Sequence, residues 1–115
     1  MYSNFGGVRM PEEPRKYPIE ITVNGYAISS VLIGRHYLKK HGSYMNDELI
    51  LKLVAELDGG DFPVDSTTAG INDYVADIQL DDTEKIYRLI WLFEGENLEV
   101  LGVINAYRRK KRKKP

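Results

Sequence analysis

The sequence predicts an α+β domain: an antiparallel sheet of four to five strands, with two helices on one face, in the order ββααβββ. Three observations carry this expectation. The stretch Ile86–Arg109 reads as two long apolar strands around the polar turn Glu94-Gly95-Glu96-Asn97. Asn24-Gly25 stands between two strand-like runs, a strong short-range hairpin signal. Leu49, Ile50, Leu53, Val54 and Leu57 recur at helical spacing and form one apolar stripe.

Taken in order, residues 1–18 carry Gly6-Gly7, Pro11, Pro14 and Pro18, which oppose regular structure and mark a flexible N-terminal arm or an extended segment lying on the body. Ile19–Val23 alternates with period two. A two-residue loop at Asn24-Gly25 pairs Val23 with Tyr26 and Ile21 with Ile28 in the returning strand Tyr26–Ile33. Residues 35–41 form a short basic helix stopped by Gly42. Asn46 caps a second helix whose first turn holds Asp47 and Glu48, suited to the positive end of the helix dipole. Asp47, Glu48, Lys52 and Glu56 face away from the stripe, and Gly59-Gly60 ends the helix. Residues 61–72 read as a loop. Tyr74–Leu80 alternates again, with Tyr74, Ala76, Ile78 and Leu80 on one face. Asp81-Asp82-Thr83 turns into the last two strands, so residues 19–109 make a single domain and 110–115 a basic tail.

With 115 residues there is one core to build, and the 43% apolar fraction is ordinary for a globular protein. The absence of cysteine excludes disulfides, thiolate nucleophiles and cysteine metal sites. No apolar run approaches the length of a membrane span, and residues 1–18 lack a signal-peptide apolar region, so a soluble cytoplasmic protein is expected.

The net charge of −1 conceals an uneven layout. Arg108–Lys114 holds seven of the 16 basic residues, which leaves 9 basic against 17 acidic residues before it. Eleven carboxylates lie between Asp47 and Glu84 against the single Lys52. No acid stands between Glu20 and Asp47, where Arg35, His36, Lys39, Lys40 and His41 are found. Two basic islands on an acidic body suit a polyanion site; the plainer expectation is a solvated helix and a disordered tail. Arg88 stands out within an apolar strand, because its charge needs an acid, a carbonyl or a phosphate.

Two helices followed by three meandering strands, with Tyr87-Arg88-Leu89-Ile90-Trp91 in the middle strand and Asn105-Ala106-Tyr107-Arg108-Arg109 at the end of the last, resemble the RelE superfamily of toxins, including its BrnT-like branch. Arg35–Lys40 is similar to the basic first helix of that group. The resemblance covers about residues 35–110. It implies a metal-independent endoribonuclease of a toxin–antitoxin pair, acting on RNA, ribosome-bound mRNA included, and inhibited by an antitoxin protein. No cofactor is implied. Such chemistry deprotonates a 2′-hydroxyl, offsets charge on the phosphorane and protonates the leaving oxygen. The implied catalytic residues are His36, Lys40, Arg88 and Tyr107. Arg35, Lys39, His41, Arg108 and Arg109 are the implied RNA contacts.

The competing reading for Arg88 is an internal ion pair with Asp77 or another acid, and for Tyr107 simple packing at the sheet edge. His36 and His41 diverge by about 140° on a helix and do not readily serve one phosphate. Asp81, Asp82 and Glu84 match no calcium loop, and two histidines without cysteine make no zinc site, so no metal is expected. The rival function is a non-catalytic protein- or nucleic-acid-binding module. Counting from a turn centred at Gly95–Glu96, Arg88 faces a residue near position 103. Tyr107–Arg109 then lie roughly 14–20 Å farther along the strand, at about 3.4 Å per residue. That spacing predicts an extended groove and not a compact pocket.

Overall fold

The structure is a computed structural model, and it describes residues 14–34, 45–80 and 85–109. Strands β1 (Arg15–Val23), β2 (Tyr26–Ile33), β3 (Ser66–Thr68), β4 (Ile71–Gln79), β5 (Ile86–Glu94) and β6 (Val100–Arg109) join in one six-stranded sheet. Helix α1 (Asp47–Ala55) is the one helix among the described residues. The spatial order is β1-β2-β6-β5-β4-β3. All pairs are antiparallel except β2 with β6, which run parallel.

This corrects the expected α+β plan. The described residues are mostly sheet, and that sheet is mixed and has six strands. The two-helix layer is not seen: residues 35–41, expected as the first helix, lie outside the described residues. Two physical reasons account for the sheet. Ser66–Thr68 is short and fully exposed, so no apolar alternation marks it. It is nevertheless tied to β4 by a tight turn in which Ala69 (φ 53) and Gly70 (φ 80) both take positive φ. The parallel β2–β6 contact was hidden for a different reason: period-two alternation tells which face a side chain takes, not which edge of the meander the first hairpin joins.

The first hairpin has the expected register, Val23 against Tyr26 and Ile21 against Ile28. Asn24 (φ 55) and Gly25 (φ 81) supply the two left-handed residues that such a loop requires. β1 starts at Arg15, so residues 15–18, assigned to the arm from their prolines, belong to the sheet. Pro18 is tolerated there because β1 is an edge strand and bulges between Pro18 and Ile21. The loop after the helix seals the other end of that edge. Asp58 accepts a bond from the Thr22 amide at 2.9 Å, and Gly59 donates to the Thr22 carbonyl at 2.7 Å. The Asn24 amide side chain clamps the backbone of Phe62 on both sides, at 2.7 and 3.0 Å. These bonds occupy the edge at its Thr22 end, where a stray strand could otherwise pair.

Helix α1 begins as expected: the Asn46 side chain accepts from the Leu49 amide at 2.8 Å. Ile50, Leu53, Val54 and Leu57 are fully buried, on the same core as Val23, Ile28, Val31, Leu89, Trp91 and Leu101. Burial of each such aliphatic side chain is worth about 1.5–3 kcal/mol. Asp47 does not simply face away. Its carboxylate takes the Arg15 guanidinium at 2.5 and 2.6 Å and the Tyr17 hydroxyl, which pins β1 to the helix start. Beside that carboxylate the Tyr17 hydroxyl is held above its ordinary value of 10.0, because it donates to Asp47 and loses that bond on ionising.

Candidate functional site on the open face of the sheet

Alternation along β4 and β5 sends Tyr74, Ile78, Leu89 and Trp91 to the helix-covered face, and Val75, Asp77, Arg88, Ile90 and Leu92 to the other. No described helix lies on this second face. Its aliphatic side chains are half-buried, and Ile104 is 40% exposed.

The register of β5 with β6 differs from the one counted out of the turn. The last pair before the loop is Glu94 with Val100, so the loop spans residues 95–99 and its centre sits at Asn97. Gly95 (φ 93) and Leu98 (φ 56) make its bends, and the Leu98 amide returns to the Gly95 carbonyl at 3.1 Å. A bulge between Ile90 and Trp91 then absorbs Ile104 as an extra residue. Both effects move β6 in the same sense. Arg88 is paired directly with Tyr107, and Ile86 with Arg109. The residues expected to be strung along a groove are therefore gathered at one place.

The gathering point is Asp77, opposite Arg88 on β4. Arg88 grips it with two bonds, Nε to Oδ1 at 2.9 Å and Nη2 to Oδ2 at 3.1 Å. Arg109 adds Nη1 to Oδ2 at 2.7 Å. The Arg88 guanidinium holds the Asp77 carboxyl below its ordinary value of 3.8, with Arg109 adding to the effect. In return Asp77, with help from Tyr107, raises the Arg88 guanidinium further above neutrality. About a third of each side chain in the Arg88–Asp77 pair is exposed. The cluster therefore carries one excess positive charge, on two arginines already engaged with a carboxylate.

Of the residues expected at a ribonuclease site, Arg88, Tyr107 and Arg109 come together. Arg108 pairs in register with Tyr87 and takes the opposite face. Arg35, His36, Lys39, Lys40 and His41 lie outside the described residues. The sequence offers Asp77 as one possible ion-pair partner of Arg88; that it stands directly opposite Arg88 and is shared with Arg109 depends on strand register and on the bulge.

Concavities among the described residues include two beside the sheet's central strands. One, of about 240 Å³, lies on the open face over Gly102 and is lined by Leu32, Leu92, Glu94 and Ile104 among others. The Glu94 carboxylate lies over Gly102, 2.5 Å from where a Cβ would stand, with Leu92 Cδ1 at 3.1 Å. The other, of about 260 Å³, is aromatic, with Tyr26 and Tyr74 edge-on to Phe93 at 5.0 and 5.1 Å. Among the described residues no group of three or more His, Asp or Glu side chains is placed to hold a metal ion. No described helix is long and apolar enough to cross a membrane. Comparison with known protein families, with characterised proteins and with solved structures finds no match to this chain.

Proposed function

We propose that this chain is a non-catalytic binding module that docks a macromolecular partner on the open face of its sheet. The observation that carries the reading is the state of the arginines. Arg88 and Arg109, the cations a phosphate would use, are both bonded to Asp77. A phosphate would have to displace an intramolecular carboxylate that already satisfies them, whereas a protein surface packs on the apolar band of Val75, Ile90, Leu92 and Ile104 without disturbing it. An apolar band rimmed by charged groups is the usual make-up of a docking surface.

A second reading has its own support. Arg88, Tyr107 and Arg109 stand side by side on one face, as a metal-independent endoribonuclease of the RelE kind would need if Asp77 served to orient the arginines. It takes RNA as substrate and an antitoxin as partner, with His36 and Lys40 completing the acid–base set. Induced expression in a bacterial host separates the two. A binding module leaves growth and cellular RNA intact at confirmed soluble expression. Growth arrest with RNA degradation, lost on Arg88→Ala in a protein that still folds, would establish the ribonuclease instead.

A further inference from the structure

The end of the sheet away from Arg88 and Arg109 carries a different kind of surface. Three turns meet there: Asn24-Gly25, Ala69-Gly70 and the loop 95–99. Between them lies the aromatic concavity of about 260 Å³, lined by Tyr26, Ile71, Tyr74, Phe93 and Leu98 among others. It belongs to the helix-covered side of the sheet, since Tyr74 and Phe93 pack on the same core as Trp91. Phe93 is inclined at 61° to Tyr26 and at 67° to Tyr74, and Tyr74 stacks on Trp91 at 5.9 Å. Rings so inclined wall a cup and not a flat patch. Left-handed backbone sets its rims, at Ala69 and Gly70 on one and at Gly95 and Leu98 on the other. The mouth is open, with Ile71 56% and Tyr26 36% exposed. Pockets for drug-sized molecules measure roughly 300–1,000 Å³, so this smaller cup suits a single side chain.

The charge around the cup has one sign. No lysine, arginine or histidine stands at 17–34, 53–84 or 89–107, the segments that build this end. Asp65 and Asp73 stand beside one rim, and Glu96 and Glu99 beside the other. The Asp73 carboxylate accepts from the Ser66 hydroxyl at 2.8 Å, and that of Glu99 from the Asn97 amide at 3.0 Å. Both donors are neutral, so both carboxylates keep their charge. The cations of the strands lie at the far ends: Arg15 opposite Ile33, Arg88 opposite Tyr107, Arg109 opposite Ile86. Arg88 is five residues from Phe93 on β5. That is about 17 Å, or roughly two Debye lengths at physiological salt, so the basic end does not offset the acidic one.

We propose that this cup anchors an arginine side chain from a basic peptide segment of a partner protein. Aromatic faces attract cations, and the guanidinium is planar, weakly hydrated and stacks on rings. The carboxylates are spread along both rims and not gathered on one point. That layout serves an extended chain with several cations better than a single small ion, and it repels phosphate and acidic segments. The cup lies across the sheet from the open face, and it is filled or empty independently of a partner there.

The test is titration of the isotope-labelled full chain with a blocked peptide of alternating arginine and glycine. A second peptide carries citrulline in place of arginine, which keeps the shape and removes the charge. The expected result is saturable shifts of the amides of Gly70, Ile71, Tyr74, Phe93 and Leu98, with a dissociation constant on the order of 100 µM. Emission from Trp91, the single tryptophan of the chain, changes over the same range through its stack on Tyr74. The citrulline peptide produces no saturable shift. Tyr26→Leu keeps apolar bulk but removes a ring, and it weakens binding about fivefold. Glu96→Gln, on the exposed loop, weakens it about twofold at low salt. Parental melting temperatures show that the variants fold; should Tyr26→Leu melt well below the parent, Glu96→Gln and the citrulline peptide decide alone. The proposal is overturned by the absence of saturable shifts at millimolar peptide, or by shifts that miss the cup. Equal affinity for the citrulline peptide overturns it too, as do folded variants that bind as tightly as the parent.

Discussion

Replacing Arg88 by alanine isolates what its guanidinium does. In the structure it makes two bonds to Asp77, both side chains are about one third exposed, and Arg109 remains on the same carboxylate after the change. A fully exposed pair contributes about 0.2–1 kcal/mol, and breaking a buried one costs about 3–5 kcal/mol. Here the geometry is bidentate, but solvent screens the pair and Asp77 is not left alone. We therefore expect Arg88→Ala to cost about 1–2 kcal/mol, a fall in melting temperature of about 4–12 °C for a domain of this size. The measurement is urea unfolding of the parent, Arg88→Ala, Asp77→Ala and the double variant. The expected coupling energy is about 1 kcal/mol, and Asp77→Ala is the costlier single change because it strands two arginines. A coupling energy indistinguishable from zero would refute the ion-pair account, and so would an Arg88→Ala variant of parental stability.

Two further outcomes follow from the same geometry. Asn24→Gly keeps the left-handed turn but removes both bonds to the Phe62 backbone, so it should destabilise the fold by about 1–3 kcal/mol in urea unfolding and speed amide exchange at Phe62. Asp77 has a folded-state value below its ordinary 3.8, so its contribution is present above pH 4 and is lost as the pH falls through the lower folded value. Stability measured down this range should fall less steeply in Asp77→Asn than in the parent; equal slopes would place the acid sensitivity elsewhere.

Local chemistry made part of the fold legible. Asn24-Gly25 specified a turn type, and that turn type specified the pairs Val23–Tyr26 and Ile21–Ile28. The Asn46 cap and the stripe through Ile50, Leu53 and Leu57 located the helix and its buried face. What failed was whatever depended on contacts distant in sequence. Ser66–Thr68 is a strand only because the Ala69-Gly70 turn lays it on β4, and alanine with positive φ is no turn signal. The parallel β2–β6 contact leaves no mark on either strand's alternation. The layout of the site depends on register. A five-residue loop and an inserted Ile104 moved the partner of Arg88 from near position 103 to Tyr107, and the extended groove became a compact cluster on Asp77. A bulge is a single residue in the sequence, yet it sets which side chains share a face for the rest of the strand.

The claim on which the functional reading turns is that Arg88 and Arg109 are closed onto Asp77 and not offered to phosphate. It is tested most directly by following the arginine side-chain Nε–H resonances of the full chain during titration with a short single-stranded RNA. The account predicts that the Arg88 and Arg109 signals stay where they are in RNA-free protein, at low as well as physiological salt. Saturable movement of the Arg88 signal, abolished by added salt and absent from the signals of exposed lysines, would contradict it and return this face to the nucleic-acid reading.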